Sequence, residues 1–281
     1  MTARHRVHGY EVAVKFIIKS KVPDNAWMND ENLGRVPTEI MLLSMVNHEH
    51  IVRCVDIFED HLYFYLFFPP LPLHHKHLDS LRPNFSRRPS HDLFECIEQS
   101  KHKRLSETQA RYIFAQVVEA VWYLDRQGIT HRDIKDENLL IDKDFTVKLI
   151  DFGSAVVADP TQPRPFYNLF YGTTAYAASE IILRQPYQAA PAEMWTLGVL
   201  LSYLLTGASP FPSERDAIEG RIVLNVHEGK AQKGIRVSEV CLGLMRRCLN
   251  KDPERRANIE EIRDHWWVRG AWEAWEGRMR R

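Results

Sequence analysis

The segment His131-Arg132-Asp133-Ile134-Lys135-Asp136-Glu137-Asn138 decides how the rest of this chain is interpreted. It stands between the end of a predicted helix and a short predicted strand, and loops in such positions present side chains from a rigid scaffold. The aspartate at position 133 can accept the proton of an attacking hydroxyl. The amide oxygen of Asn138 can ligate a hard cation such as Mg²⁺. The segment therefore predicts a catalytic loop.

Three further elements lie around this loop in the sequence. Asp151-Phe152-Gly153 follows the predicted strand 147–150, and a carboxylate at a strand end followed by glycine suits a Mg²⁺ ligand. Lys15 ends the apolar run Val12-Ala13-Val14, where a lysine can hold a phosphate oxygen at a rigid position. Taken alone, an edge-strand lysine that points to solvent is the more common case. Glu39, on the next predicted helix, can orient Lys15 by an ion pair, although any helix contains such glutamates.

Taken together and in this order, the His-Arg-Asp-x-Lys-x-x-Asn loop, the Asp-Phe-Gly triplet and the Val-Ala-Val-Lys strand resemble the eukaryotic protein kinases. The resemblance spans about residues 10–268. It implies an α+β, two-lobed fold, with a small β-rich N-lobe that is incomplete here and a large, mainly helical C-lobe. The implied reaction is the transfer of the γ-phosphoryl group of ATP to a protein hydroxyl, with ATP bound between the lobes.

The resemblance also implies a role for each motif residue. Asp133 would orient the substrate hydroxyl and accept its proton, and Lys135 would neutralise the transferring phosphoryl group. The implied ligands are ATP and Mg²⁺. The residues implied to bind ATP are Lys15, held by Glu39, then Ala13 and Leu140 on either side of adenine, and Asn138 and Asp151, which would also hold Mg²⁺. The residues with implied structural roles are Arg132, Thr173, Glu180 and Arg256.

Lys135 and the Gly172-Thr173 pair ahead of Tyr176 resemble the serine/threonine branch of the family. Glu137 and Asp92 match positions that, in basophilic relatives, meet arginines upstream of the phosphorylated residue. Pairing of a carboxylate with a guanidinium would explain such a preference. The alternative is that both acids are solvated surface residues. We therefore expect a protein substrate and leave open whether it carries basic residues upstream.

Finer detail resembles the PAS-domain-containing kinases, which are nutrient-linked serine/threonine kinases with a sensory PAS region upstream. The segments that carry this resemblance are 28–34 (MNDENLG), 92–95 (DLFE), 151–155 (DFGSA) and 193–195 (EMW). None of these residues forms a PAS domain. We therefore expect a sensory region to be missing from this chain or to lie on another one.

The chain departs from the kinase pattern before the lysine strand. Only Gly9 precedes Lys15, so the glycine-rich loop that covers the phosphates is absent. We expect weaker ATP binding, an unprotected sheet edge, and a fragment or truncated gene model as the explanation. The competing hypothesis is a non-catalytic scaffold that keeps the kinase shape. The five residues that argue against it are Lys15, Glu39, Asp133, Asn138 and Asp151.

A second departure is the segment 69–90, which we interpret as an inserted loop between an N-lobe at 1–68 and a C-lobe at 91–281. It contains five prolines and is longer than most connections between elements. It is either a lineage-specific insert or retained non-coding sequence. Its histidines at 74, 75 and 77 lack acidic or cysteine partners, so a flexible loop is favoured over a metal site. Ser90 is a weak candidate phosphorylation site.

The third departure concerns the activation segment, 151–180. The usual Ala-Pro-Glu is Ala178-Ser179-Glu180, and we expect Glu180 to keep an ion pair with Arg256. Glu193 replaces the usual aspartate, and its extra methylene is expected to alter the bracing of the catalytic loop. Arg132 is a candidate receptor for a phosphate on this segment. The candidate phosphate carriers are Thr161, Tyr167, Tyr171, Thr173 and Thr174, of which Thr173 is expected instead to hydrogen-bond Asp133.

Composition excludes several other classes of protein. The 281 residues contain 37 Lys+Arg and 37 Asp+Glu, and this balance argues against a nucleic-acid partner. The most apolar segment, 62–68, is far shorter than the ~20 residues of a membrane helix, so no membrane contact is expected. The four cysteines lack paired spacing, which argues against a zinc site or a disulfide framework. We expect a reducing cytosol or nucleus.

Hydrophobic periodicity predicts the remaining elements. Strands are predicted at 10–19, 51–58 and 62–68, and a helix at 31–46 because Leu33, Ile40, Leu43 and Val46 lie on related faces. In the C-lobe, helices are predicted at 91–97, 106–124 and 194–205, the second with a capping box formed by Ser106 and Gln109. Short strands are predicted near 139–141 and 147–150.

Overall fold

The structure, a computed structural model, describes residues 1–4, 9, 11–69, 92–100, 102–224 and 237–273. The predicted insert therefore lies almost entirely outside the described residues, together with its three histidines and Ser90. Among the described residues, no helix is both long and apolar enough to cross a membrane.

The described residues of the N-terminal part form six strands and one α-helix. These are β1 (Thr2–Arg4), β2 (Glu11–Ile18), β3 (Trp27–Asp30), β4 (Gly34–Pro37), α1 (Thr38–Met45), β5 (Asp56–Glu59) and β6 (Tyr63–Phe68). Four of the strands form an antiparallel sheet in the order β1-β2-β6-β5. Helix α1 contributes Ile40 and Leu42 to the core, and both are fully buried.

The predicted helix at 31–46 is wrong in its first half. Residues 27–37 form the β3–β4 hairpin, and the helix begins only at Thr38. The hairpin turn is fixed by Asp30, whose carboxylate accepts the backbone N–H groups of Asn32 and Leu33, and by Gly34, whose φ is +72°. Such side-chain-to-backbone bonds offer the chain an alternative to helix. Leu33 is 40% exposed, so it does not belong to the buried face of the helix.

The predicted strand at 51–58 is also corrected, because β5 begins at Asp56. The preceding residues cross to the other lobe instead. Ile51 forms a parallel bridge with Leu149, and the backbone of Leu149 bonds to His50 and Val52 at 2.8 and 2.9 Å. Ile51 is 1% exposed. This segment therefore fastens the N-terminal sheet to the strand that precedes Asp151.

The C-terminal part is mainly helical. Its elements are α2 (Leu93–Gln99), α3 (Glu107–Asp125), β7 (Ile129–Thr130), β8 (Leu139–Ile141), β9 (Val147–Leu149), β10 (Val156–Val157), β11 (Phe166–Tyr167), α4 (Ser179–Ile182), β12 (Tyr187–Gln188), α5 (Ala189–Thr206), α6 (Glu214–Glu219), α7 (Glu239–Cys248), α8 (Ile259–Asp264) and α9 (Trp266–Arg269). Helices α3 and α5 form its centre and bury most of their length.

Several local predictions for this part are confirmed. Helix α3 begins with the predicted capping box between Ser106 and Gln109. Helix α5 ends at Thr206, one residue from the predicted end, and is followed by Gly207, whose φ is +70°; a side chain at Gly207 would collide with the carbonyl of Lys103. The short strands predicted near 139–141 and 147–150 are β8 and β9. A β-sheet N-terminal region and a helical C-terminal part agree with the predicted α+β, two-lobed fold.

Candidate active site

The two lobes meet at a lysine held between two carboxylates. Lys15 lies on β2, and its Nζ is 2.5 Å from Oε1 of Glu39 on α1 and 2.7 Å from Oδ1 of Asp151. Burial alone would lower the pKa of Lys15, but the two carboxylates outweigh it and raise that pKa. Lys15 therefore stays charged at neutral pH and faces the cleft as a fixed cation.

Asp151 lies on an unusual backbone. Its φ is +65°, which a non-glycine residue adopts at some energetic cost and which is common at functional sites. Its Oδ1 also accepts the N–H of Gly153 at 3.2 Å. Burial opposes ionisation, but Lys15 outweighs it and lowers the pKa of Asp151. The side chain is 49% exposed, so an ionised carboxylate stands open at the cleft.

Asp133 is held by three groups. Its Oδ1 accepts the backbone N–H of Thr173 at 2.9 Å and the Thr173 hydroxyl at 2.8 Å. Its Oδ2 accepts Nδ2 of Asn138 at 2.9 Å and lies 3.8 Å from Nζ of Lys135. Because the amide nitrogen of Asn138 bonds to Asp133, its oxygen is the atom that can ligate a cation.

His131 ties this loop to the strand before Asp151. Its Nδ1 accepts the N–H of Asp133 at 3.3 Å, and its Nε2 donates to the carbonyl of Ile150 at 3.0 Å. The ring is fully buried, and burial lowers the pKa of His131 to about 4. A neutral imidazole with its proton on Nε2 satisfies both bonds. The loop with Asp133 and the segment with Asp151 are thus joined directly.

Arg132 links the catalytic loop to helix α5 and to the activation segment. Its φ is +64°, and its N–H donates to Oε1 of Glu193 at 2.7 Å, so the longer glutamate still reaches the loop. Burial raises the pKa of Glu193 to about 7. The Arg132 guanidinium donates to the carbonyl of Ser154 at 2.6 Å and lies 5.4 Å from the ring centres of Tyr167 and Tyr171. The candidate phosphate receptor thus contacts the activation segment.

Glu180 and Arg256 form a buried bidentate ion pair. The guanidinium nitrogens of Arg256 lie 2.8 and 2.9 Å from the two carboxylate oxygens of Glu180, and the Arg256 side chain is 0% exposed. Arg256 also donates to the carbonyls of Asn250 and Pro191. The pair anchors the end of the activation segment to the helical lobe, in the geometry favoured for arginine and carboxylate.

The remaining predicted residues lie on β2 and β8, at the start of α2 and in the catalytic loop. Ala13 is exposed on β2, opposite Phe68 of β6, and Leu140 is half-buried on β8. The carboxylate of Asp92 caps α2 by accepting the N–H of Glu95 at 2.8 Å. Oε2 of Glu137 lies 2.7 Å from Nζ of Lys135. Both candidate substrate-binding acids are therefore already engaged.

Sequence reasoning missed a second buried contact of the catalytic loop. Tyr176 donates its hydroxyl to Oδ1 of Asp136 at 2.9 Å. Neither residue type signals such a contact, since the two residues lie 40 positions apart. The role of His131 was signalled only by its place in the loop motif.

The donor set fits a magnesium ion better than a transition metal. Among the described residues, no three His, Cys, Asp or Glu side chains lie close enough to hold a metal ion by themselves. Mg²⁺ commonly takes one or two protein oxygens and fills its other positions with water and substrate phosphates. The Asp151 carboxylate and the Asn138 amide oxygen are the two such oxygens predicted from the sequence.

The fold and this site are those of a protein kinase. The sequence model of the protein kinase domain family matches residues 1–268, and the chain belongs to this family. The chain is 40% identical over 266 residues to a PAS domain-containing serine/threonine-protein kinase of Mus musculus, covering 94% of this chain and 17% of that protein.

Two further relatives agree with this assignment. Serine/threonine-protein kinase PSK1 of Saccharomyces cerevisiae is 34% identical over 267 residues, covering 94% of this chain and 18% of that protein. NUAK family SNF1-like kinase 1 of Homo sapiens is 32% identical over 267 residues, covering 95% of this chain and 36% of that protein. The chain thus spans about a third or less of the length of these relatives. The predicted resemblance to serine/threonine kinases of the PAS-domain type is confirmed.

Proposed function

We propose that this chain transfers the γ-phosphoryl group of ATP, with Mg²⁺, to a serine or threonine hydroxyl of a protein. One observation carries the proposal: Lys15 of one lobe contacts both Glu39 and Asp151, so a cation and an open carboxylate face the same cleft. The hydrogen bonds of His131 place the Asp133 loop beside them.

The cleft residues have separate tasks in nucleotide binding. Lys15, fixed by Glu39, would hold phosphate oxygens, and Ala13 and Leu140 would enclose the adenine ring. Asn138 and Asp151 would hold Mg²⁺, which supplies neutralisation of phosphate charge when bound.

The catalytic loop supplies the proton acceptor. Three donated hydrogen bonds fix the Asp133 carboxylate, so it can orient a substrate hydroxyl and accept its proton without reorganisation. Lys135 lies 3.8 Å from that carboxylate, where its charge would stabilise the transferring phosphoryl group. Positioning and charge neutralisation are the main sources of catalysis in this reaction class.

We also propose a setting for the activity. The relatives named for PAS domains and for SNF1-like kinases suggest nutrient- or energy-linked signalling, and the lack of paired cysteine spacing favours the reducing cytosol or nucleus. Glu137 is the better candidate for binding a basic residue of the substrate, because its carboxylate is 54% exposed beside Lys135, whereas the carboxylate of Asp92 caps a helix. A PAS sensory region would lie outside this chain.

The alternative is a non-catalytic scaffold that keeps the kinase shape. A transfer assay with γ-labelled ATP and a serine-containing peptide separates the two. Asp133→Asn should lower transfer by about 10²–10⁴-fold through loss of the base and leave nucleotide affinity intact. Asp144→Asn, at an exposed aspartate in the turn between β8 and β9, is the matched control and should transfer normally.

Two outcomes would refute the kinase proposal. Equal transfer by the wild type and Asp133→Asn would show that the assigned base is not used. A wild type that binds nucleotide but transfers no phosphate would favour the scaffold.

A further inference from the structure

The catalytic loop and the activation segment are joined at two points with the same spacing. Thr173 donates to Asp133, and Tyr176, three residues later, donates to Asp136, three residues later in the loop. Each pair spans 40 residues of sequence. Thr173 and Tyr176 belong to one tight turn, in which the N–H of Tyr176 donates to the carbonyl of Thr173 at 2.9 Å. Two hydrogen bonds therefore join the turn Thr173–Tyr176 to the catalytic-loop segment Asp133–Asp136.

The hydrogen bond between Tyr176 and Asp136 lies in the protein interior. Asp136 is 5% and Tyr176 6% exposed. Burial raises the pKa of both groups, so Tyr176 keeps the proton that it donates. The Tyr176 ring stacks on Tyr203 of α5, with 5.3 Å between ring centres and an interplanar angle of 18°. Helix α5 thus fixes the tyrosine, and the tyrosine fixes Asp136.

Asp136 lies where its position affects neighbouring active-site residues. It stands between Lys135 and Glu137 and begins the short 3-10 turn Asp136–Asn138. The N–H of Asn138 donates to the carbonyl of Lys135 across this turn at 3.1 Å. A shift of Asp136 would therefore move both the Lys135 ammonium and the Asn138 amide.

We propose that Asp136 and Tyr176 are positioning residues for phosphoryl transfer, and that their hydrogen bond holds the substrate-facing segment in register with the catalytic loop. This inference rests on the kinase function proposed above. It assigns to the bond a larger effect on the use of the protein substrate than on the binding of nucleotide, because Lys15 and Asp151 lie on other elements.

The test uses the full chain and the smallest possible change. Tyr176→Phe removes one oxygen and keeps the ring that stacks on Tyr203. We expect kcat/KM for a serine-containing peptide to fall about tenfold, the scale of one lost bond to a buried acceptor. The affinity for a fluorescent ATP analogue, titrated without turnover, should stay within about twofold of wild type. Tyr203→Phe, which removes a hydroxyl from the same stack but not from the bond, is the matched control.

Asp136 variants separate positioning from a merely structural role. Asp136→Asn keeps an oxygen that can accept the hydrogen bond of the Tyr176 hydroxyl, so its kcat/KM should stay close to that of the wild type. Asp136→Ala removes the acceptor and should lower kcat/KM as much as Tyr176→Phe does. The double variant Tyr176→Phe/Asp136→Ala should be no worse than Asp136→Ala alone, since the two residues act through one bond. If Asp136→Ala does not fold, Tyr176→Phe and Asp136→Asn still decide the question.

Three outcomes would overturn the inference. The first is an unchanged peptide kcat/KM in Tyr176→Phe, and the second is an equal loss of nucleotide affinity, which would indicate general loosening of the cleft. In both, a wild type that transfers phosphate would leave the kinase function standing. The third is a wild type without any transfer, which would overturn the proposed function and this inference with it.

Discussion

At the scale of single residues, buried charges in this chain are stabilised by several partners at once. Arg256 contacts Glu180 through two nitrogens, donates to two backbone carbonyls and lies 5.2 Å from the ring of Trp195. Taking such a pair out of water is costly, so the intact pair adds little stability. Removing one partner is different, because it leaves the other as an uncompensated buried charge.

We expect Arg256→Met to lower the free energy of unfolding by about 3–5 kcal/mol, because Glu180 would remain buried without its partner. Urea unfolding followed by tryptophan fluorescence measures this change. The matched control is Arg215→Met, which breaks an exposed pair with Glu219 and should cost at most about 0.5 kcal/mol. Equal losses in the two variants would contradict the argument from burial.

Glu193 gives a stability effect that depends on pH. Burial raises its pKa from 4.5 to about 7, so the folded protein keeps a proton that the unfolded chain releases between these values. The stability that protonated Glu193 contributes is complete below pH 4.5 and is lost as the pH rises through 7. Glu193→Gln should therefore gain about 3 kcal/mol relative to wild type between pH 4.5 and pH 8.

Unfolding free energies of wild type and Glu193→Gln across this range provide the measurement. Glu214→Gln, at an exposed position of α6, should show no such trend. A difference between Glu193→Gln and wild type that stays constant with pH would show that Glu193 does not titrate in this window.

Among residues, sequence could predict those whose role follows from their immediate neighbours. The loop around Asp133 and the triplet at Asp151 are contiguous, so their chemistry is visible without a structure. The bond between Tyr176 and Asp136 is not, because it depends on two turns meeting in space. The positive φ of Asp151 could not be predicted either, because the usual sequence signal for a positive φ is a glycine at that position.

At the scale of elements, the errors lie where side-chain bonds to the backbone compete with hydrophobic periodicity. The apolar spacing over residues 31–46 is that of a helix, yet Asp30 and Gly34 turn the chain into a hairpin before Thr38. Helix α3 was predicted well because its capping box and its periodicity agree. Boundaries were therefore reliable where local and tertiary signals coincide.

Two glycines inside helices provide a test of packing at this scale. A Cβ on Gly198 of α5 would lie 2.7 Å from the side chain of Leu249 and 2.9 Å from Cβ of Cys248, whereas one on Gly243 of α7 would meet no atom within 4 Å. We expect Gly198→Ala to cost about 1–3 kcal/mol through overpacking. Gly243→Ala should gain about 0.5–1 kcal/mol because alanine favours helix. Thermal unfolding of both variants tests the pair, and a shift of the same sign in both would contradict the contacts described.

At the scale of the whole molecule, the lobes are connected by more than the covalent chain. Lys15 bonds to Asp151 across the cleft, and Ile51 pairs with Leu149 behind it. The buried residues form one hydrophobic cluster that runs through both lobes. A ligand that bridges Lys15 and Asp151 should therefore stabilise both lobes together.

Mg-ATP at about 100 times its dissociation constant should stabilise the wild type by about 2.7 kcal/mol. Lys15→Met should lose most of this gain, because the cation that faces the phosphates is removed, and chelation of Mg²⁺ with EDTA should reduce it in the wild type. Differential scanning calorimetry with and without ligand measures the shift. Lys143→Met, at an exposed lysine, is the control, and an undiminished shift in Lys15→Met would exclude the proposed phosphate contact.

The equal intervals of Thr173–Tyr176 and Asp133–Asp136 have a consequence for how such a chain can change in length. Insertions or deletions between the two turns, for instance at residues 158–165, leave the spacing of Thr173 and Tyr176 unchanged, so both residues can still bond to Asp133 and Asp136. One residue added between Thr173 and Tyr176 would displace the tyrosine by about 2 Å, the rise of a 3-10 turn, and break one hydrogen bond while the other holds. A change in chain length outside these turns therefore keeps both hydrogen bonds, whereas a change within either turn breaks one of them.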